Sequence, residues 1–598
     1  MNATAAAPGA PGLDLMLMWH MHQPDYRDHA TGEFTMPWVY LHAIKDYSDM
    51  AWHLEQNPGL RAVVNFVPVL LDQLEDYCVQ CASGHLRDPL LRLLAHGEDA
   101  PLTDPERKHA LEQCFRANHH RLIAPFAPFL DLYEMYRSVQ ARASGAHRYL
   151  SDAFLYDLVT WYHLAWTGET VRRGSETVTR LMAKGTGFTQ EDRLALLGVI
   201  ADVLQHVIPR YRELARRGQI ELTSSPQCHP LAPLMLDFRC AHDAMPNAPL
   251  PAHERYPGGR ERVCAHLEEA LASHERRFGA APRGIWPAEG ALSAQFAALL
   301  AERGVRWTAS GAGVLANSLH ASAREGSAPS PEPGPADAAH RPYRAPGIAP
   351  GMLIFFRDDR LSDLIGFVYS KWHGRDAVDN LIHELEAVAA KSGAGPRPLV
   401  SLILDGENAW EYYPYNGFFF LSELYRRLCS HASLRTVTGS EVAAAFDARG
   451  TRAPGAAPFA PPGELRVLAA GSWVYGNLST WIGSRDKNQA WDLLCAAKER
   501  YDTVMASGSL TPDQKARAQA QLADCEASDW FWWPGDENPG ESVSSFESLF
   551  RYKLTHLYRL LQSPVPETLG VAFSAGSGPG GSAAEVGGTM RRATQPSP

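Results

Sequence analysis

Cysteine is sparse and unpatterned. The 598 residues hold nine, an odd number, with one Cys-x-x-Cys at Cys78–Cys81 and neither a second pair nor a nearby histidine to complete a zinc site. Such a set argues against a disulfide framework and for free thiols in a reducing compartment. Basic charge is also short, with 56 Lys and Arg against 67 Asp and Glu. A net charge of −11 argues against a general nucleic-acid binder, which needs a basic surface. Long apolar runs are missing: Leu13–Trp19 is too short for a membrane span, and the opening MNATAAAPGAPG lacks a basic n-region. A cytoplasmic protein with no nucleic-acid or membrane partner is expected. No GxSxG elbow, P-loop or HExxH helix is present to claim the chemistry.

Tryptophan, by contrast, is plentiful. Fifteen indoles in a chain of otherwise ordinary composition suit flat, partly apolar ligands such as sugar rings. The most informative stretch is Leu399–Gly417, LVSLILDGENAWEYYPYNG. Its apolar start predicts a buried parallel strand, and Asp405, Glu407, Trp410, Glu411, Tyr412 and Tyr413 follow at once. A buried carboxylate costs several kcal/mol (about 3–5) unless it is paired, so this strand end is built either as a site or as a salt-bridged cap.

The same arrangement recurs along the chain. Leu13–Trp19 runs into His20, His22, Gln23 and Asp25, and Gly218–Ser225 into His229. Gly284–Glu289 carries Trp286 and Glu289, Val305–Ala309 carries Trp307, and Met352–Phe356 leads to Arg357. Helical patterns separate these runs, and a helical insertion is expected at about 80–215, punctuated by Pro101, Pro105 and Pro209. Strands alternating with helices, with polar residues just past each strand, predict a parallel α/β barrel reactive at its C-terminal face; a doubly wound open sheet gives a similar alternation. The organisation expected is a disordered 1–12 and a catalytic unit at 13–450 containing a low-complexity loop at 317–347. A Pro/Ala-rich linker at 451–464, a helical domain at 465–565 and a disordered tail at 571–598 complete it. The run Asp529-Trp530-Phe531-Trp532-Trp533-Pro534-Gly535-Asp536 is expected either to close over a site or to form an interface with the barrel.

Two separate carboxylates in an aromatic cleft are what glycoside cleavage needs: one attacks the anomeric carbon and the other protonates the leaving oxygen. Zinc chemistry is the competing reading, with His20, His22, His229 and Asp405 as ligands, as in a sugar deacetylase. A non-catalytic glucan binder is the third.

Five ordered motifs carry a resemblance. They are His20-Met21-His22-Gln23-Pro24, Gly218-Gln219-Ile220-Glu221 with His229-Pro230, and Trp286-Pro287-Ala288-Glu289-Gly290. Asp405-Gly406-Glu407-Asn408-Ala409-Trp410 and the aromatic run at 529–536 follow. Together they resemble the family 57 glycoside hydrolases, and within them the α-amylase and amylopullulanase branch. The resemblance implies an incomplete TIM-like (β/α)7 barrel followed by a helical region. It implies Glu289 as nucleophile and Asp405 as general acid/base. It places His20, His22, Gln23, Glu221, His229, Trp286, Trp307, Glu407, Trp410, Asp529, Trp530, Trp532 and Trp533 against substrate. The implied partner is an α-glucan such as starch, glycogen or maltooligosaccharides, cut at α-1,4 and in some members α-1,6 links, with no cofactor and no metal. A glucanotransferase or branching enzyme is the close alternative. The chain departs from that branch at Gly311, where an acidic residue is expected. Asp405 is expected to be protonated and Glu289 ionised, about 5–5.5 Å apart.

Overall fold

The apolar runs that end in polar residues form parallel strands, and the strands close on themselves. In the computed structural model, which describes residues 12–141, 145–324, 338–393, 395–446, 451–452 and 459–576, the strands are β1 (Leu13–Met21), β2 (Ala62–Phe66), β3 (Ile220–Ser224), β4 (Gly284–Ile285), β5 (Trp307–Gly311), β6 (Tyr343–Ala345), β7 (Ala349–Arg357), β8 (Leu399–Asp405), β9 (Leu434–Val437) and β10 (Gly463–Glu464). Parallel pairing runs β1-β2-β3-β4-β5-β7-β8 and returns from β8 to β1, which makes a closed barrel of seven strands. The open-sheet alternative is thereby set aside. β6 adds antiparallel to β7 outside the ring, and β9 lies along the start of β1.

Alternation along each strand sorts side chains to two faces. Leu13, Leu15, Leu17, Trp19 and Met21 of β1 join the large core under the helices. Met16 and Met18 point inward and pack with Val63, Trp307, Ala309, Leu353, Phe355, Leu399 and Ile403 to fill the barrel. Because both faces are covered, β1 is buried at every position. Two seams are narrow: β3 and β4 meet through the single register pair Ser224↔Ile285, and β7 and β8 through Arg357↔Ser401. The β7–β8 seam is held by one side-chain and one main-chain bond: Arg357 Nε donates to the Ile403 carbonyl at 2.7 Å, and the Asp358 main-chain amide donates to the Ser401 carbonyl at 2.9 Å.

Between β2 and β3 lies the expected helical insertion, ending in the helix Gln190–Arg216. Pro209 does not break this helix; it sits inside it. The helix is long and apolar enough to cross a membrane, but it packs its buried face on the helices Pro68–Ser83 and Pro89–Ala95. At the expected low-complexity loop, the helix Ala312–Arg324 and β6 take up the two ends. Its middle (325–337), the segment 1–11, the end of the expected catalytic unit at 447–450, the stretch 453–458 of the expected linker, and the tail from 577 lie outside the described residues. The far end of that linker is tied down, since Gly463–Glu464 pairs with β6. The helices Arg485–Ser507, Pro512–Cys525 and Gly540–Leu560 then pack against one another. All nine cysteines are free thiols.

Candidate active site

The polar ends of β1, β2, β3, β7 and β8 converge at the C-terminal mouth. His20 Nδ1 donates to Asn65 Oδ1 at 2.7 Å, which fixes its tautomer and leaves Nε2 as an acceptor. Burial, with the neighbouring His22 second, pushes the His20 pKa down to about 3, so the ring is neutral. His22 Nε2 lies 2.9 Å from Asp529 Oδ2, and its ring centroid is 4.0 Å from that of His229. His229 is buried and also kept neutral, by desolvation and then by His22 and His20. Its Nδ1 lies 2.9 Å from Ser528 Oγ. His22 Nδ1, His229 Nε2, Trp286 Nε1 and Glu407 Oε2 are buried without a partner among the described residues. Unmet buried polar atoms of this kind ask for an explanation, and a polar ligand supplies one.

The two expected catalytic carboxyls share this space. Glu289 sits in the turn Ala288–Gly290 with φ 56°, a left-handed backbone that a non-glycine residue holds only under constraint. The constraint is visible: the Trp473 amide donates to the Glu289 carbonyl at 3.3 Å, and Ser310 Oγ to the Gly290 carbonyl at 2.6 Å. Trp473 Nε1 then donates to Glu289 Oε2 at 3.2 Å. Burial first, then the charges of Asp405 and Asp529, hold the Glu289 carboxyl well above the usual range. Asp405 ends β8 and accepts from Asn408 Nδ2 at 2.7 Å. Burial pushes it up to about 6, against the pull of Asn408, His22 and Arg357. The sequence led to an ionised Glu289 facing a protonated Asp405. In the free site both carboxyls are raised, Glu289 by burial and then by the charges of Asp405 and Asp529, Asp405 by burial against an amide donor and two nearby cationic or polar groups.

The C-terminal region completes the mouth by backbone pairing. Leu292 and Gly471 form an antiparallel bridge, as do Pro230 and Ala527, and the Ser528 amide donates to the His229 carbonyl at 2.9 Å. These stitches bring Trp473 to Glu289, and Ser528 and Asp529 to the histidines. They also account for Gly311: a Cβ there would come 2.6 Å from the Trp473 Cα, so no side chain fits.

Other expected substrate residues stand elsewhere. The expectation of an aromatic lid is corrected. Trp530 Nε1 donates to the Asp524 carbonyl, Phe531 stacks on Trp491 at 3.9 Å, Trp532 packs on Trp481 and Trp533 stacks on Phe546, so the run is core of the helical region. Glu221 and Trp307 lie at the N-terminal halves of β3 and β5, at the opposite end of the barrel. Glu221 accepts from Trp307 Nε1 at 2.8 Å and from the Ser440 amide at 2.8 Å. Gly284 and Gly439 lie flat on the indole of Trp307, where a Cβ would approach to 2.1 and 2.4 Å. Trp410 packs behind the mouth on Trp19. Gln23 and Glu407 support the mouth: Glu407 Oε1 accepts from the His22 amide at 3.1 Å, and Gln23 Oε1 from Tyr26.

Sequence reasoning left out Arg357, Trp473, Ser528 and Asn65. Arg357 follows the rule that found the others, a polar residue ending an apolar run; its guanidinium is buried, paired with Asp359 and Asp363, and lies over the Trp473 ring. Trp473 and Ser528 lie far along the chain, and only the backbone bridges reveal them.

His22, His229 and Asp529 offer donor atoms within 4.8 Å of one another, a set that could hold a metal ion. The same imidazoles suit sugar hydroxyls equally well.

Comparison with known proteins follows the geometry. The profile of Glycosyl hydrolase family 57 matches residues 16–454. No curated protein sequence is a match. Among solved structures, the chain is similar to a branching enzyme of that family from Thermococcus kodakaraensis (16% identity, TM-score 0.54, 92% of this chain and 90% of that one). It is also similar to a branching enzyme from Pyrococcus horikoshii (16%, 0.54, 95% and 98%) and to the α-amylase AmyC from Thermotoga maritima (14%, 0.52, 92% and 93%). At these identities the likeness is one of fold.

Proposed function

The chain belongs to glycosyl hydrolase family 57, and on that footing we propose that it is a retaining hydrolase of α-1,4-glucans, with α-1,6 links as further substrate, in which Glu289 is the nucleophile and Asp405 the general acid/base. The observation that carries the reading is the pair itself: Glu289, buried in the turn just past β4, and Asp405, half-buried at the end of β8, are close enough that the charge of Asp405 raises the Glu289 pKa. Two carboxyls that interact in this way titrate as a pair. The reactive form has the proton on Asp405. Trp473 Nε1 and Ser528 donate to Glu289 and favour its ionised form. Attack by Glu289 on the anomeric carbon, with proton transfer from Asp405 to the leaving oxygen, gives a glycosyl-enzyme. Water activated by the deprotonated Asp405 then releases the sugar with its original configuration. His20 Nε2, His22 Nδ1 and His229 Nε2 are unoccupied by protein donors and suit the hydroxyls of the sugar at the cleavage point.

Starch, glycogen and maltooligosaccharides are the proposed substrates, and a cytoplasmic setting fits the free thiols. The test is product analysis with maltooligosaccharides and, separately, pullulan. New reducing ends with shorter products support hydrolysis. Longer products with constant reducing ends would make the chain a glucanotransferase, and no change in either would reject the reading. Glu289→Ala and Asp405→Ala should each lower kcat by about three or more orders of magnitude.

A further inference from the structure

Exposed aromatic residues are not scattered over this protein. Twelve large hydrophobic side chains are exposed among the described residues, and five of them follow β7 and β8: Phe367, Val368, Trp372, Tyr415 and Phe419. Trp372, at 42% exposure, is the one exposed indole of fifteen. The two segments adjoin. A Cβ on Gly374 would come 3.3 Å from the Phe420 amide nitrogen, and the Tyr369 ring contacts both Trp372 and Phe420, at 5.4 and 6.0 Å between centroids.

Tyr415 is held outward by a built device. Tyr415 and Asn416 are consecutive left-handed residues, φ 54° and 52°, and neither is glycine. The strain is clamped from below, where Asn416 Nδ2 donates to the buried Asp49 at 3.1 Å and Lys45 Nζ donates to Asn416 Oδ1 at 3.4 Å. Above this anchor the Tyr415 ring stands edge-on to Phe419 at 5.3 Å. Phe419 stands edge-on to Phe418, and the Arg173 guanidinium lies over both. Strain that persists because its surroundings over-determine it belongs with function, and here what it fixes is an exposed aromatic ring.

We propose that Trp372, Tyr415 and Phe419 form an outer contact for the α-glucan chain as it leaves the cleft. The proposal rests on the glucan reading above. Continuity names the occupant: the segment bearing Tyr415 and Phe419 is the direct continuation of the strand that ends in Asp405, and the segment bearing Trp372 continues the strand that ends in Arg357. Rigid aromatic rings offer flat faces to the C–H faces of glucose units at small entropic cost. Such a contact lies beyond the bond being cut, so it binds long substrates and leaves the chemical step alone.

The test uses the full chain with Tyr415→Asn plus Phe419→Ala, and separately Trp372→Ala; Asn tolerates the left-handed backbone, so the first variant removes the ring without new strain. Expected is a KM for amylopectin raised about three- to tenfold, with kcat unchanged and kcat/KM on maltotetraose unchanged. Equal losses on long and short substrates, or no loss on either, overturn the proposal. A change of oligomeric state in light scattering overturns it too, since the rings would then bury a second copy of the chain. Affinity electrophoresis in gels containing glycogen reads the contact independently of turnover. Retardation of the parent protein that is lost in the variants supports the contact even if no glucan is cleaved, and absence of retardation in the parent overturns it.

Discussion

Replacing Glu526 by Gln tests how the helical region is locked to the barrel. Glu526 is fully buried and receives Arg262 through both oxygens (2.8 and 2.7 Å), His266 Nε2 at 2.7 Å and the Tyr256 hydroxyl at 2.6 Å. Arg262 and His266 belong to the helix Gly259–Phe278 between β3 and β4, whereas Glu526 lies just before the Ser528 and Asp529 that reach the mouth. Burial works to raise the Glu526 pKa, but the Arg262 charge and the hydrogen bonds from His266 and Arg262 outweigh it and hold the carboxyl well below its usual range. Glu526→Gln keeps shape and one acceptor oxygen but leaves Arg262 buried beside a neutral amide. Removing one member of a buried pair costs about 3–5 kcal/mol. At roughly 2 cal/mol/K of unfolding entropy per residue, that lowers the melting temperature by about 2–4 °C if the whole chain unfolds as one unit, and by more if the two regions separate. Because the folded pKa is depressed, this stabilisation is present above the unfolded value of about 4.3 and is lost as pH falls through the folded one. The parent should therefore lose melting temperature below about pH 4.3 more steeply than the variant. Thermal scans from pH 3 to 7, with kcat on a maltooligosaccharide at pH 6, read both effects, and kcat should fall with the displacement of Ser528 and Asp529. Identical melting curves and unchanged kcat would refute the argument.

Three further outcomes are expected. Trp473→Phe removes the indole donor that favours ionised Glu289, so the acid limb of the kcat/KM profile should move to higher pH and kcat fall about tenfold; an unmoved acid limb would separate Trp473 from the nucleophile. Glu221→Ala should lower the melting temperature through the lost Trp307 and Ser440 bonds while KM for maltooligosaccharides stays constant, whereas a raised KM with intact stability would return Glu221 to the cleft. Dialysis against a chelator should leave activity unchanged, and a loss restored by zinc would assign His22, His229 and Asp529 as its ligands.

How far the sequence carried follows from the physics of each residue. A buried parallel strand announces itself as an apolar run, and the residue that ends it is forced to the mouth, so His20, Glu289 and Asp405 were legible. Glu221 misled because a polar residue inside a strand looks the same at either end of a barrel; its partners Trp307 and Ser440 lie 86 and 219 residues away. The aromatic run at 530–533 misled because stacking on a ligand and stacking in a core demand the same side chains. Trp473 and Ser528 were invisible, since what places them is main-chain pairing between Leu292 and Gly471 and between Pro230 and Ala527. The upward shift of Glu289 owes part of its size to Asp529, which comes to it from 240 residues along the chain, so no local spacing encodes it.

Proton NMR of the first-turnover products tests the central claim most directly. Two displacements at one carbon, by Glu289 and then by water, restore its configuration. Monitoring a maltooligosaccharide digest within the first minutes, before mutarotation, should therefore show the newly formed reducing end as the α-anomer. A β-anomer as first product would contradict the assignment of Glu289 as a nucleophile.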